Sequence, residues 1–310
     1  MTSNDLLEDI LRSYEETDLP DDFSADFDIL ECLSERNGVI TFLVRDKHGD
    51  DHIAKCFDTS VRTIPAGNEI ISTLSHDGLP EHTADYENAR MAVSVRRYVE
   101  GESLDRYVSA NDLSEPQVVD ICLQLCDILA YLHHRENPII HRDIKPQNII
   151  VRPNGRIVLI DFDIARLHNT ESETDTVFFG TRSYAPPEQY GFSQTDERTD
   201  IYALGVLLRW LLTGSTKENN KIKIYRPLAA IIRKCTGFSP KERFSDVDQV
   251  KKALRSANPR SQRIRAAVIA VCIAAVAGLA SFAGIKIYEY VTYTPFSKDA
   301  IPAYLTDEER

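Results

Sequence analysis

Three short segments in the middle of the chain carry the side chains best suited to chemistry. They read IHRDIKPQNIIV from Ile140, LIDFDIAR from Leu159 to Arg166, and GTRSYAPPEQY from Gly180 to Tyr190. The first two segments bring together carboxylates, a side-chain amide and a lysine. Carboxylate and amide oxygens are the hard ligands that Mg²⁺ prefers, and a lysine neutralises anionic oxygen. These residue types suit chemistry on an anionic group that is held by a metal ion.

In this order and spacing, the three segments resemble the catalytic loop, the magnesium-binding segment and the end of the activation segment of eukaryotic-type protein kinases. They resemble the bacterial membrane-anchored serine/threonine kinases in particular. The resemblance covers roughly residues 25–256. It implies an α+β, two-lobed protein kinase fold, in which a small antiparallel sheet lobe precedes a larger helical lobe and ATP binds between them. It also implies transfer of the γ-phosphate of ATP to serine or threonine hydroxyls of protein substrates, with Mg²⁺ or Mn²⁺ as the metal.

The resemblance assigns roles in catalysis and metal binding. Asp143 matches the aspartate that accepts the proton of the substrate hydroxyl, and Lys145 matches the lysine that contacts the transferred phosphoryl group. Asn148 and Asp161 match the two magnesium ligands. Thr181 matches an activation-segment threonine that contacts the catalytic aspartate and lysine. The lysine position favours aliphatic hydroxyls over tyrosine as the acceptor.

Nucleotide binding falls in the strand-rich first part of the chain. Two alternating runs, VITFLV and HIAKCF, flank a turn-like stretch and predict a hairpin. Lys55, in the second run, resembles the lysine that pairs with the α- and β-phosphates, and Glu69 resembles its usual helix partner. Gly38 lies in the loop that is expected to cover the phosphates. Tyr98 and Glu100 lie in the hinge that is expected to contact adenine.

Other matched positions are expected to brace the fold or to regulate it. The resemblance makes His141 and Asp200 structural, with Asp200 bound to the catalytic-loop backbone, and it pairs Glu188 with Arg243. Arg142 matches part of a basic pocket for a phosphorylated activation segment, since phosphate can order a loop against arginine. The alternative is a generic polar loop. The candidate autophosphorylation sites are Thr170, Ser172, Thr174 and Thr176.

The match to the family is imperfect in three places. The phosphate-covering loop has only Gly38 where the family uses three glycines. The Asp-Phe-Gly element ends in Asp163 instead of glycine. Arg96 and Arg97 stand where family members have an apolar residue and an acid, which leaves the shape of the adenine pocket open.

Two other functions therefore remain open from the sequence. The first is a catalytically weak pseudokinase that acts as a scaffold at the membrane. The second is a kinase of small molecules, which would share the Asp and Asn of the catalytic loop. That class generally lacks the segment found here from Gly180 to Glu188.

A long apolar run near the C-terminus predicts a membrane anchor. Residues 266–285 contain no charged side chain and would span about 30 Å as a helix, which matches a bilayer core. Arg260, Arg263 and Arg265 precede the run, so the kinase domain is expected on the cytoplasmic side of a single-pass cell-membrane protein. The predicted organisation is an acidic segment (1–24), a kinase domain (25–256), a basic juxtamembrane segment (257–265), a transmembrane helix (266–285) and a short extracytoplasmic tail (286–310).

Composition limits the remaining function classes. The net charge of −12 argues against nucleic-acid binding, which needs clustered basic residues. Much of the acidity lies within residues 1–28, which hold ten acids and one arginine. The six cysteines show no metal-ligand clustering and are expected to be reduced and structural. Small residues at every fourth position of the membrane helix suggest a homodimer: Ala266, Ala270, Ala274 and Gly278.

Overall fold

A computed structural model describes residues 19–36, 38–59, 70–167, 183–190, 195–217 and 224–293. Residues up to Asn258 form one compact unit, and residues from Pro259 form a second.

The first layer of the larger unit is an antiparallel sheet of five strands. VITFLV and HIAKCF pair as the sequence predicts, with Thr41 opposite Lys55. Alternate residues of the second strand, Ile40, Phe42 and Val44, are buried, because one face of the sheet covers the core and the other does not. The strands lie in the order β1-β2-β3-β5-β4: β1 (Phe27–Arg36), β2 (Val39–Asp46), β3 (Asp51–Asp58), β4 (His82–Glu87) and β5 (Met91–Arg97).

A short helix, α1 (Asp21–Asp26), docks onto this sheet. Phe23 is fully buried, and its ring lies 5.7 Å from that of Phe27 and 5.6 Å from that of Tyr86. The Tyr86 hydroxyl donates a hydrogen bond to Asp26. Residues 19–26 therefore pack on the sheet, whereas the domain boundary placed at residue 25 stays a prediction.

The second layer is helical, and its longest helix begins where the sequence predicts. Ser114 and Gln117 form a capping box, and Pro116 lies in the first turn, where it needs no hydrogen-bond acceptor. The apolar residues of this helix recur at helical spacing and are buried from Val118 to Leu132. The helices are α2 (Leu104–Ala110), α3 (Glu115–His133), α4 (Glu197–Thr213), α5 (Arg226–Cys235) and α6 (Val247–Ala257).

Short strands and turns connect the two layers. Glu102–Ser103 (β6) pairs with Ile149–Val151 (β8), which in turn pairs with Ile157–Leu159 (β9). Ile139–Ile140 (β7) pairs with Arg166–Leu167 (β10). The sheet-rich first lobe and the helical second lobe confirm the predicted fold class.

Helix α4 packs closely against α5 through a glycine. A Cβ atom at Gly205 would lie 2.4 Å from the Cβ of Cys235, so only glycine fits without a shift. All six cysteines are free, and Cys122, Cys126 and Cys235 are buried. Burial raises the pKa of these three thiols, which makes them unreactive. They fill the core.

Asp200 of α4 fixes the start of the loop that follows β7. Its carboxylate is fully buried and accepts hydrogen bonds from the backbone N–H groups of His141 and Arg142, each at 2.9 Å. It also contacts Nε2 of His133 at 2.9 Å. Arg142 has a φ of 70°, a conformation that non-glycine residues rarely adopt. The carboxylate therefore holds the loop in a backbone shape that it would otherwise avoid.

A buried ion pair ties the segment Pro187–Tyr190 to the far end of the helical lobe. The side chains of Glu188 and Arg243 are both almost fully buried. The Arg243 guanidinium donates a hydrogen bond to Oε2 of Glu188 at 2.8 Å. The amide of the neighbouring Gln189 donates to the carbonyl of Arg142 at 2.9 Å. The 187–190 segment and the loop after β7 are thus held together.

The second compact unit contains one long helix, α7 (Pro259–Tyr293), of 35 residues. Within the described residues, the stretch Ala267–Tyr293 is long and apolar enough to cross a membrane. The helix continues beyond residue 285, the predicted end of the apolar run. Lys286 and Glu289, three residues apart, form an ion pair at 2.7 Å that supports the extra turns.

The Asp200 network leads to a stability prediction. Asp200→Asn replaces one acceptor oxygen by an NH₂ group, so at least one of three N–H donors loses its partner at a cost of about 1–3 kcal/mol. We expect the variant to melt at a lower temperature than the parent chain. The measurement is thermal unfolding of the full chain in detergent micelles.

The stabilisation by Asp200 should depend on pH, and the direction follows from its pKa. Burial raises the pKa of Asp200, but the bond from His133 and the neighbouring groups outweigh burial, so the pKa is lowered. The carboxylate therefore stabilises the fold above its unfolded pKa of about 3.9, and this contribution is lost as pH falls through the folded value. The melting temperature should fall more steeply below about pH 4 in the parent than in Asp200→Asn. Asp112→Asn, at an exposed position, is the control. Identical melting curves for parent and Asp200→Asn would contradict this account.

Candidate active site

Lys55 projects from the middle of the sheet toward two carboxylates. The register of β3 places Lys55 between Thr41 of β2 and Ser94 of β5. Its Nζ atom lies 2.8 Å from Oδ1 of Asp161 and 2.7 Å from Oδ1 of Asp163. The ammonium is largely buried, so these two ion pairs provide its compensating charge.

The loop after β7 forms the second part of the site. Nζ of Lys145 lies 2.6 Å from Oδ2 of Asp143. The amide nitrogen of Asn148 donates to the carbonyl and to Oδ2 of Asp143, each at 2.9 Å. Because the NH₂ group of Asn148 is engaged, its amide oxygen is the atom suited to bind a metal.

A hydrogen bond joins the two parts of the site. The backbone N–H of Ile160 donates to the carbonyl of Asn148 at 2.8 Å, which places Asp161 beside Asn148. The ring of His141 lies 3.3 Å from the carbonyl of Ile160 and packs edge-on against Phe162 at 4.8 Å. Asp161 has a φ of 71°, so this backbone is held in an uncommon conformation by its neighbours.

Lys55, Asp161 and Asp163 influence one another's ionisation. Burial disfavours the charged form of Lys55, but Asp161 and Asp163 outweigh burial, so the pKa of the ammonium is raised. Burial likewise opposes the ionisation of Asp161, yet Lys55 offsets it and the pKa of Asp161 is lowered. For Asp163 burial dominates and Asp161 adds to it, so its pKa is raised in spite of Lys55. Asp163 is therefore the carboxylate that holds its charge less easily.

The hinge between the lobes follows β5. Tyr98 is 42% exposed and donates its backbone N–H to the carbonyl of Asp51, while Glu100 is exposed. Gly101 has a φ of 141°, and a Cβ there would lie 2.3 Å from the carbonyl oxygen of Val151. Only glycine permits this close approach of the hinge to β8.

Of the remaining predicted site residues, the structure describes only Gly38. Gly38 lies in the turn between β1 and β2 with a φ of 73°, and its carbonyl accepts a hydrogen bond from the N–H of Asp58. The others lie outside the described residues, so their roles stay predictions: Glu69, Thr170, Ser172, Thr174, Thr176 and Thr181.

Sequence reasoning missed two features of this site. It treated Asp163 only as the loss of a flexible glycine, whereas the Asp163 side chain is an ion-pair partner of Lys55. It also treated Arg96 only as a change in the adenine pocket. Strand alternation was the signal that could have placed Arg96. It puts residues 94 and 96 on one face of β5, and Ser94 lies opposite Lys55.

The donor set fits a divalent cation and a polyphosphate. Asp161 supplies a carboxylate and Asn148 an amide oxygen, both hard oxygen ligands of the kind that Mg²⁺ and Mn²⁺ prefer. Lys55 supplies a buried cation beside them. Asp143, held by Lys145 and Asn148, supplies a further carboxylate beside Asn148. These groups are the ones that phosphoryl transfer requires.

Comparison with known proteins agrees with this geometry. The chain is 31% identical over 199 residues to the serine/threonine-protein kinase PknA of Nostoc sp., which covers 57% of this chain and 35% of the relative. It is 39% identical over 122 residues to PrkC of Bacillus subtilis, which covers 39% of this chain and 18% of that kinase. The serine/threonine-protein kinase TIO of Arabidopsis thaliana is 28% identical over 244 residues, or 76% of this chain and 18% of TIO.

This chain thus corresponds to about a third or less of the length of these relatives. The match to a family model is more extensive. Residues 43–263 match the protein kinase domain, which is most of the chain and includes both parts of the site. The chain belongs to the protein kinase family.

Proposed function

We propose that this protein is a serine/threonine kinase that transfers the γ-phosphate of ATP to hydroxyl groups of protein substrates. One observation carries the proposal. Lys55 of the sheet lobe contacts Asp161, and the residue before Asp161 is hydrogen-bonded to Asn148 of the loop that holds Asp143. The four groups that handle phosphate, metal and proton are therefore gathered at one place.

The proposed roles follow from the chemistry of each group. Lys55 binds the α- and β-phosphates, and Asp161 and Asn148 hold Mg²⁺ or Mn²⁺. The metal, when bound, neutralises charge on the phosphate oxygens. Asp143 orients the substrate hydroxyl and accepts its proton, and Lys145, 2.6 Å from Asp143, lies where it neutralises the transferred phosphoryl group.

Nucleotide contacts away from the phosphates belong to the hinge and the first turn. Tyr98 and Glu100 lie in the hinge beside the proposed adenine site, and Gly38 lies in the turn of the phosphate-covering loop. We assign Glu69 as a helix partner of Lys55 and Thr181 as a contact of Asp143 on the basis of the family pattern. These assignments extend the site beyond the described residues.

A catalytically weak scaffold is the second candidate, and one observation favours it. Both carboxylates that contact Lys55 compete with phosphate for the same ammonium. Two of the three N–H donors of the ammonium are already engaged, so phosphate contacts that use more than one donor require a carboxylate to be displaced. If that exchange is too costly, the domain would keep the kinase fold and lose transfer activity.

Autophosphorylation is the proposed means of regulation. Arg142 is buried next to the segment Pro187–Tyr190, where Gln189 donates to its carbonyl. A phosphate on Thr170, Ser172, Thr174 or Thr176 would place nearly two negative charges within the same activation segment. Pairing with Arg142 would then order that segment.

The long helix is the proposed membrane anchor. Its exposed apolar side chains and its length fit a bilayer, and basic residues precede it in the sequence. We therefore place the kinase domain, with boundaries near 25 and 256, in the cytoplasm and the tail from residue 286 outside. The small-residue stripe along the helix makes homodimer formation part of this proposal.

The catalytic proposal predicts a loss of transfer without a loss of binding. Asp143→Asn keeps the size of the side chain but removes the carboxylate that accepts the proton. We expect phosphate transfer from ATP to a basic protein to fall at least about a hundredfold, while Mg·ATP binding is kept. The measurements are a transfer assay and calorimetry on the full chain in detergent. Mass spectrometry of the ATP-treated parent should find phosphate in residues 170–176.

Asp112→Asn, the same change at an exposed position, should leave transfer unchanged. Nucleotide binding without any transfer by the parent would favour the scaffold. Full activity of Asp143→Asn would contradict the assigned role.

The anchor predicts a labelling pattern in vesicles of defined orientation. The two variants are Asp112→Cys and Lys298→Cys, each made in a Cys272→Ser background. Cys272 is removed because it is exposed, whereas the other native cysteines are buried. An impermeant maleimide should label position 112 only in inside-out vesicles and position 298 only in right-side-out vesicles. The reverse pattern would overturn the orientation. Recovery of the protein in the soluble fraction would overturn the anchor.

A further inference from the structure

Arg96 and Asp163 both depart from the kinase pattern, and both lie on the Lys55 face of the sheet: Asp163 contacts Lys55, and Arg96 shares its face. Ser94 of β5 lies opposite Lys55 of β3, and Arg96 lies opposite Ile53. Alternate residues of a strand share a face, so Arg96 is on the same face of the sheet as Lys55, one pair further along. Asp163 contacts Lys55 directly at 2.7 Å.

The neighbouring arginine has a different environment. Arg97 is on the opposite face of β5, where its side chain is 51% exposed and contacts Asp50 at 2.9 Å. Arg96 is half-buried. Two adjacent arginines therefore separate into one on the nucleotide side of the sheet and one on the solvent side, which provides a matched comparison.

Among the described residues around Lys55, the charges balance when Arg96 is included. Asp161 and Asp163 are two anions that contact one cation, Lys55. Burial lowers the pKa of Arg96 to about 10, and Asp161 and Asp163 oppose that effect, so the guanidinium remains charged at neutral pH. Arg96 thus adds the second cation. A glycine at position 163 would remove an anion, and an apolar residue at 96 would remove a cation.

We propose that Arg96 is a positioning residue whose guanidinium compensates the charge of Asp163, so that Lys55 is released to bind the phosphates of the nucleotide. This inference rests on the proposed function. Without Arg96, Asp163 would be a buried carboxylate with Lys55 as its nearby cation, and breaking that pair would leave an uncompensated charge. ATP would then compete with Asp163 for the ammonium. With Arg96 present, Asp163 keeps a cation when Lys55 moves to the phosphates.

The test is a double-mutant cycle on the full chain in detergent. Arg96→Met should weaken Mg·ATP binding about tenfold and raise KM for ATP, with little change in kcat at saturating ATP. Asp163→Gly should lower the melting temperature, because Arg96 is then a buried cation in excess. The double variant carries the neutral pair that is usual in the family. It should recover binding to within about threefold of the parent.

Two further variants separate positioning from packing. Arg96→Lys retains the charge and should keep most of the nucleotide affinity. Arg97→Met removes an exposed arginine from the same strand and should leave both affinity and KM unchanged. Losses in the double variant that are the sum of the single losses would overturn the inference. A fall in Mg²⁺ affinity in Asp163→Gly that the double variant does not recover would also overturn it, since Asp163 would then be a metal ligand.

The melting temperatures without nucleotide keep this inference separate from the proposed function. A parent chain that binds no Mg·ATP would defeat the proposed function. In that case, recovery of the melting temperature in the double variant would still support the compensating pair, and additive losses would overturn it.

Discussion

The ion pair between Lys55 and Asp161 is the interaction on which the rest of the site depends. It joins residues 106 positions apart in sequence, one on a strand of the sheet lobe and one on a loop after β9. Burying an ammonium is costly unless carboxylates compensate it, so the pair exists only when both elements are in place. Such a pair contributes little net stability. The pair instead sets Lys55 of the sheet lobe, the cation that we propose binds phosphate, beside Asp161, the carboxylate that we propose binds the metal.

The elements around this pair each restrict one of its partners. The register of β3 between β2 and β5 directs Lys55, and the hydrogen bond from Ile160 to Asn148 places Asp161. Asp200 and the Glu188–Arg243 pair hold the loop of Asp143 from the helical side. These braces are buried, so losing one partner would leave an unsatisfied polar group in the core. The loop that carries Asp143 is therefore held in place by buried residues outside the proposed catalytic set.

Much of this arrangement could be predicted from the sequence, because its signals are local. The string HRDIKPQN predicts a loop whose functional residues lie within a few positions of one another. The alternation in VITFLV and HIAKCF predicts a hairpin. The ion pair of Asp163 with Lys55, and the pairing of β5 with β3 that puts Arg96 on the same face, could not be predicted in this way, because both depend on how distant segments come together. The docking of Phe23 on Phe27 and Tyr86 escaped prediction for a similar reason: a single aromatic residue in an acidic stretch has no periodic signal.

The central claim is that Lys55 exchanges carboxylate partners for the phosphates of a metal-bound nucleotide. Calorimetric titration of ATP into the full chain, with and without Mg²⁺, tests it most directly. The account predicts saturable binding of one nucleotide per chain that requires the divalent ion and is lost in Lys55→Met. A folded chain that takes up no nucleotide, or that binds it equally well without metal and without Lys55, would contradict the claim.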